Sequence, residues 1–200
     1  MNNLEITLTN PYEDPKIIKE RMAEYISDGD ITRHLGPDAM NNIIKYSDLK
    51  QYNNIEELLP TDKSYKIILI ENEHNSGHWV LLMRYKYEGK EYIEFFNSYG
   101  LMPTTSLDFI NKIKNQILGQ NIKYLDKLLN KAKKKFKIIY STKRFQKLRP
   151  EIATCGRHML LRLLMMLHYD LSLYDYIDFL NKLKDKYKYP DDVIVSMLIK

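Results

Sequence analysis

Residues 66–100 read KIILIENEHNSGHWVLLMRYKYEGKEYIEFFNSYG and form a β-rich block. Three runs dominated by β-branched and aromatic residues, which favour strands, lie at residues 66–70, 79–85 and 91–96. The dipeptide Glu88-Gly89 separates the last two runs and is typical of a two-residue hairpin turn. The run KIIY at residues 137–140 predicts a fourth strand.

Helical patterns lie on both sides of this block. Upstream, Pro15–Ile26 places its isoleucines on one side, and residues 28–64 predict short helices and turns. Downstream, helices are predicted at residues 105–118, 121–134, 156–169, 172–186 and 190–199. The helix at 156–169 is apolar nearly all round, which marks it as buried and central. This order predicts an α+β domain with a small, mostly antiparallel sheet flanked by helices.

The bulk composition indicates one folded domain. The chain has 200 residues, 44% of them hydrophobic, and its 16 Tyr and 6 Phe are unlike a disordered chain. We divide it into an N-terminal helical part at about 1–64, a sheet and core at about 65–170, and C-terminal helices at about 171–200. Residues 1–10 lack a signal-peptide pattern, and no stretch approaches 18 uncharged apolar residues. No contact with a membrane is therefore expected.

The formal net charge of +5 favours anionic partners such as nucleic acid, although many ordinary domains carry as much. The segment KAKKKFK at Lys131–Lys137 would supply a basic face for DNA of any sequence. The same segment also fits a solvated helix end, because cations suit helix C-termini.

The chain contains a single cysteine, Cys155, so an intrachain disulfide is excluded and a reducing compartment is expected. Cys155 opens the apolar helix, where unpaired N–H groups should lower the pKa of its thiol and favour the nucleophilic thiolate. Gly156 leaves room for a substrate carbonyl to approach. The alternative is a small buried apolar residue, which is what a lone cysteine usually is.

A nucleophilic cysteine needs a base, and the chain has five histidines. His34 and His74 lie in polar segments, and His158 fits a packing role on the same helix as Cys155. His78 lies in Gly77-His78-Trp79 at the mouth of a strand, where Trp79 offers a flat wall to a substrate. We therefore predict His78 as the base.

The hairpin turn at residues 88–89 fixes the register of the two strands around it. It places His78 opposite Tyr99 and puts Asn97 on the same face, diagonal to His78. Diagonal neighbours are roughly 7–8 Å apart at the backbone, within reach of side chains. Asn97 is thus predicted to orient the imidazole, whereas Glu94 faces the other side.

The loop before the cysteine holds Gln146, nine residues upstream of Cys155. A side-chain amide near a nucleophile can donate a hydrogen bond to a developing oxyanion. By itself, Gln146 would be an ordinary surface glutamine. Together with His78 and Asn97, it completes the parts that nucleophilic catalysis requires.

The ordered set of these motifs resembles the adenovirus-protease and Ulp1-like superfamily of cysteine proteases. The segments that carry the resemblance are GHW (77–79), FFNSYG (95–100), Gln146 and TCGR (154–157). They are most similar to the maturation proteases of virophages, Maverick/Polinton elements and related large DNA viruses. Asn97 departs from the pattern, since Asp or Glu is commoner there, and the spacing from Gln146 to Cys155 is longer than usual.

The resemblance implies a papain-like or adenain-like fold and a catalytic set of His78, Asn97, Gln146 and Cys155. It further implies an endopeptidase that processes viral capsid or core precursors at Gly-containing sites and needs no cofactor. Such an enzyme is expected to be monomeric and to act in the virion and in the host cytoplasm or viral factory. Two alternatives stay open, an isopeptidase for ubiquitin-like proteins and a non-catalytic virion protein that binds nucleic acid.

Overall fold

The computed structural model describes residue 8 and residues 10–200. Residues 1–7 and 9 lie outside this description. They include most of the segment that was searched for a signal peptide and the beginning of the predicted N-terminal part. Within them, a five-stranded sheet is surrounded by α-helices, which confirms the predicted α+β class. None of the helices in the described part of the chain is long and apolar enough to cross a membrane.

The strands follow one another in the sheet in chain order. They are β1 (Ile43–Lys45), β2 (Tyr65–Glu73), β3 (Ser76–Tyr87), β4 (Lys90–Phe96) and β5 (Lys137–Tyr140). The two inner pairs, β2–β3 and β3–β4, are antiparallel, and the two outer pairs, β1–β2 and β4–β5, are parallel. The short strand β1 was not predicted, because three residues are too few to show a period.

The helices lie before, between and after the strands. They are α1 (Pro15–Ala23), α2 (Asp28–Leu35), α3 (Ile55–Leu58), α4 (Pro103–Asp108), α5 (Lys112–Ile117), α6 (Tyr124–Ala132), α7 (Cys155–Tyr169), α8 (Leu173–Tyr187) and α9 (Asp191–Leu198). Two 3₁₀ helices, Pro37–Asn42 and Tyr46–Gln51, flank β1. The single helix predicted at 105–118 is wrong, because Asn111 interrupts it. The Asn111 Oδ1 atom accepts a hydrogen bond from the backbone N–H of Ile113 at 2.8 Å and so begins α5 anew.

Both faces of the sheet are covered, which explains why its strands read as continuous apolar runs. One face packs against α7, α8 and α9 through residues such as Leu69, Leu81 and Met83. The other packs against α3, α4 and α6 through residues such as Ile68 and Leu82. Helix α7 is therefore held centrally, as its sequence predicted.

The hairpin of β3 and β4 has the predicted register. Tyr87 pairs with Lys90, and the ladder continues to Phe96. Glu88 and Gly89 have φ angles of 48° and 70°, the positive values that a type I′ turn requires. The turn thereby aligns the mouth of β3 with the segment that follows β4.

A buried ion pair ties this hairpin to α7. Arg162 donates from Nε and Nη2 to the two carboxylate oxygens of Glu94, at 2.8 Å and 2.7 Å, and both side chains are fully buried. The Tyr85 hydroxyl donates to the same carboxylate at 2.7 Å. A bidentate pair of this kind fixes direction as well as distance. Glu94 therefore lies on the face of the sheet that packs against α7, away from Asn97, as the predicted register requires.

Candidate active site

A cleft opens where the start of α7 meets the end of the β3–β4 hairpin. Cys155, His78, Asn97 and Gln146 all line it. Its rim is formed by apolar and basic side chains, among them Tyr25, Leu101, Phe109, Arg144, Leu148 and Arg149. The structure thus brings together four residues that the sequence placed on a strand, a turn, a loop and a helix.

Cys155 is the first residue of α7 and is only 5% exposed. Burial raises the pKa of its thiol, and the backbone N–H groups of Trp79, Gly156 and Cys155 itself counter that effect only in part. The prediction that the helix start lowers this pKa is therefore wrong, because burial has the larger effect. The contact with the N–H of Trp79 also shows that β3 passes beside the thiol, directly next to His78.

His78 is held from two sides. Its ring stacks on that of Tyr99, with centroids 4.5 Å apart and planes 16° from parallel. Its backbone is fixed by Gly77, since a Cβ atom there would collide with the backbone carbonyl oxygen of Ile70 on β2. Burial lowers the pKa of His78 to about 4, even though its bond to Asn97 acts in the opposite direction. The imidazole is consequently neutral near pH 7.

Asn97 fixes the tautomer of this imidazole through a chain of hydrogen bonds. Its Nδ2 donates to Ser106 Oγ at 2.9 Å, and that hydroxyl in turn donates its hydrogen to the carbonyl oxygen of Met102 at 2.8 Å. The backbone N–H of Tyr99 donates to Asn97 Oδ1 at 2.9 Å. Both contacts identify Oδ1 as the atom that lies 2.9 Å from His78 Nε2, so Nε2 carries the proton. Nδ1 is left as the basic nitrogen.

Gln146 is a buried residue, not a surface glutamine, with 1% of its area exposed. Its Oε1 accepts from Ser98 Oγ at 2.8 Å, and its Nε2 donates to the carbonyl oxygen of Ile152 at 3.1 Å. The backbone N–H groups of Phe145 and Gln146 both donate to the carbonyl of Ser98. An amide Nε2 has two hydrogens, and the bond to Ile152 uses one of them.

The two predicted substrate contacts, Trp79 and Gly156, pack against the segment before α2. Trp79 is 7% exposed, and its indole Nε1 donates to the carbonyl oxygen of Ile26 at 2.9 Å. Gly156 faces the same residue, since a Cβ atom there would lie 2.6 Å from Ile26 Cβ. Both residues thus have packing contacts with Ile26. Trp79 also lines a second pocket together with Tyr25 and Gly77, and the contact of Trp79 and Gly156 with substrate stays a prediction.

The Gly156→Ala variant is expected to lose about 1–3 kcal/mol of unfolding free energy, because its methyl group overpacks against Ile26. Denaturant unfolding followed by circular dichroism measures the change. Gly29→Ala is a matched control, since a Cβ atom at that helical position meets only Ser27 Oγ at 3.6 Å. The control should be neutral or stabilising by up to about 1 kcal/mol. Equal stability of both variants would contradict the packing argument.

Three residues of this site were not found from the sequence, whereas Tyr99 was placed opposite His78 by the hairpin register. Ser98 donates to Gln146 and Ser106 accepts from Asn97, and their only signal is that Ser98 lies within FFNSYG and Ser106 follows it closely. Asp192 lies behind the loop that carries Gln146, and it reads in the sequence as an acidic residue in the first turn of a helix.

The basic segment Lys131–Lys137 lies away from the residues that line the cleft and is partly used within the protein. Lys135 pairs with Glu56 at 2.7 Å, and Lys131 Nζ donates to the carbonyl oxygen of Asn53 at 3.0 Å. The segment therefore presents less free charge than its composition suggests.

Comparison with known proteins shows similarity to a virophage protein and to a viral protease. No protein-family model matches the chain. The chain is 35% identical over 156 residues to "Uncharacterized protein V9" of Sputnik virophage, across 78% of this chain and 84% of the relative. A crystal structure of the ASFV pS273R protease matches with a TM-score of 0.49 and 13% identity, over 90% of this chain and 69% of that one. At the identity and coverage of the virophage match, the chain belongs to the family of the Sputnik virophage protein V9.

Proposed function

We propose that this chain is a cysteine endopeptidase of the adenovirus-protease and Ulp1-like superfamily, with Cys155 as nucleophile and His78 as base. The observation that carries the proposal is the 2.9 Å contact between His78 Nε2 and Asn97 Oδ1 in a cleft that Cys155 also lines. This contact leaves Nδ1 free to accept a proton. A nucleophile, a base and an orienting group in one cleft are the parts that covalent catalysis of acyl transfer requires.

The first step starts from a neutral thiol and a neutral imidazole, as the two pKa directions indicate. Cys155 Sγ attacks the scissile carbonyl while its proton passes to His78 Nδ1. The imidazolium, held by Asn97, then gives that proton to the leaving amine, and a thioester remains on Cys155. Water hydrolyses the thioester with His78 again as base, which restores the thiol and releases the acid product.

The carbonyl oxygen becomes negative during both attacks. The second Nε2 hydrogen of Gln146 and the backbone N–H of Cys155 are the proposed donors to it. Fixed donors in a buried site cost little reorganisation when the charge develops, which makes them effective.

The Gln146→Ala variant is expected to lower kcat roughly 10²–10³-fold, because one oxyanion donor is lost. KM should change little, since the bond forms only in the transition state. Steady-state kinetics on a peptide substrate provide the measurement, with the exposed Gln51→Ala as control. A near-normal kcat in Gln146→Ala would assign the donor to another group.

The proposed substrates are viral capsid or core precursor proteins, cut at Gly-containing sites during virion maturation. Kinship with a virophage protein supports a viral role, and the motif resemblance supports the reaction. The enzyme would then act in the virion and in the host cytoplasm or viral factory. Non-specific binding to DNA through the free lysines of the basic segment would bring it to packaged genomes, with an affinity that falls steeply as salt rises.

One experiment tests the reaction and its substrate together. The purified chain is incubated with capsid precursors of the virus that encodes it and, in parallel, with a conjugate of a ubiquitin-like protein, and the products are read by mass spectrometry. Cleavage of precursors after Gly supports the proposal, and cleavage of the conjugate alone would favour the isopeptidase. No cleavage of either substrate by a protein that iodoacetamide alkylates at Cys155 would contradict the endopeptidase.

A further inference from the structure

A buried carboxylate lies directly behind the cleft. Asp192, the second residue of α9, is 1% exposed and accepts three hydrogen bonds. Its Oδ1 accepts from Thr154 Oγ1 at 2.6 Å and from His158 Nε2 at 3.1 Å, and its Oδ2 accepts from the backbone N–H of Lys147 at 3.0 Å. Burial alone would raise the pKa of this carboxyl, but the bonds from His158 and Thr154 outweigh it and lower the pKa below its ordinary value. Asp192 is therefore a fixed negative charge.

The partners of Asp192 adjoin the two sides of the proposed oxyanion site. Thr154 immediately precedes Cys155, and Lys147 immediately follows Gln146. One side chain from the last helix thus joins the start of α7 to the loop that carries the amide donor. Ser98 holds the same loop from the opposite side, through Gln146 itself.

Thr154, at the N-cap of α7, lacks the side-chain hydrogen bond that is usual at this position. A threonine at a helix N-cap ordinarily accepts a hydrogen bond from an N–H of the first turn. Here Thr154 makes no such bond, and its hydroxyl instead donates to Asp192. The backbone N–H groups of Cys155 and Gly156, at the start of α7, are among the groups that lower the pKa of the thiol against the effect of burial.

We propose that Asp192 is a positioning residue, which holds the Gln146 loop against the start of α7 so that amide and backbone donors meet one oxyanion. The inference rests on the proposed protease function. It assigns no contact with substrate to Asp192, which acts only through Thr154, Lys147 and His158. Misplacement of catalytic groups by about 1 Å can cost on the order of 10²-fold in rate.

The test compares two neighbouring aspartates at the start of α9. Asp192→Ala should lower kcat on the order of 10–10²-fold and leave KM within about 3-fold, because the lost alignment matters only in the transition state. Asp191→Ala is the matched control, since Asp191 is also buried but pairs with Lys184 at 3.1 Å, outside the loop. It should keep the kcat of the parent. A similar fall in kcat for both variants would reduce Asp192 to a general stabilising role and overturn the inference.

A second pair of variants keeps the test valid if Asp192→Ala folds poorly. Thr154→Ser retains the hydroxyl that reaches Asp192, whereas Thr154→Val removes it and keeps the shape of the side chain. Serine should preserve kcat, and valine should lower it on the order of 10-fold. Equal kcat values in the two variants would contradict the role of the Thr154–Asp192 bond.

Hydrogen exchange separates this inference from the protease proposal, because it needs no substrate. The peptide amides of residues 146–154 should exchange faster in Asp192→Ala than in the parent or in Asp191→Ala. Unchanged protection there would overturn the inference even if the parent cleaves its substrate. Faster exchange in Asp192→Ala, combined with a parent chain that cleaves nothing, would keep the positioning contact and overturn the protease proposal alone.

Discussion

Replacing Cys155 by alanine is expected to abolish cleavage, with a loss on the order of 10⁴–10⁶-fold in kcat, because no neighbouring group can take over the attack. The fold should survive, since alanine fits the space of the thiol at a helix start. Cleavage of a peptide or precursor substrate measures the loss, and circular dichroism verifies the fold. Retained turnover in the purified variant would remove the protease proposal.

The single cysteine makes the chemical counterpart of this experiment unambiguous. Iodoacetamide should add one adduct per chain and inactivate the enzyme to the same extent as it labels. The Cys155→Ala variant should remain unlabelled. Labelling without loss of activity would show that the thiol is not the nucleophile.

Replacing Asn97 by alanine is expected to lower kcat by a factor on the order of 10²–10⁴, the range associated with positioned acid–base catalysis. The change frees the imidazole of His78 to take the wrong tautomer, because Oδ1 no longer accepts from Nε2. The exposed Asn121→Ala serves as control and should be normal. If Asn97→Ala kept full activity, the orienting role would pass to another residue.

The Asn97→Asp variant tests the same contact through the direction in which the pKa of His78 changes. A carboxylate beside Nε2 stabilises the imidazolium, so the pKa of His78 should rise from its value of about 4. A base must be unprotonated to act, and activity is lost as pH falls through that pKa. The acidic limb of the kcat/KM profile should therefore move to higher pH, while much of the activity near pH 7 remains. If the acidic limb did not move, the group that titrates in it would not be His78.

The parts of the site that could be predicted are those that depend on local rules. The two-residue turn at 88–89 fixed the alignment of His78 with Asn97 and Tyr99, and a polar loop before an apolar run located Cys155 at a helix start. Each of these follows from a period or a turn within a few residues. The positions of His78, Asn97 and Cys155 on the hairpin and the helix could therefore be predicted without knowledge of the rest of the fold.

The parts that could not be predicted depend on contacts between distant segments. Asp192 acquires its place only when α9 packs behind the loop, and nothing near it in the sequence signals that contact. The thiol pKa was predicted in the wrong direction, because helix position is local whereas burial depends on the whole fold. The packing of Trp79 and Gly156 against Ile26 was not predicted for the same reason, since Ile26 lies far from both in the chain.

The buried bridge between Glu94 and Arg162 also has a consequence for synthesis on the ribosome. The two residues are 68 positions apart, so the carboxylate leaves the peptidyl-transferase centre roughly 3–14 s before its partner, at elongation rates of about 5–20 residues per second. During that interval the nascent hairpin carries the ionised Glu94 on the face that is later buried against α7. The charge keeps this face hydrated and discourages the strands from pairing with other chains. The charge of Glu94 can be paired, and this face buried against α7, only after Arg162 has been synthesised.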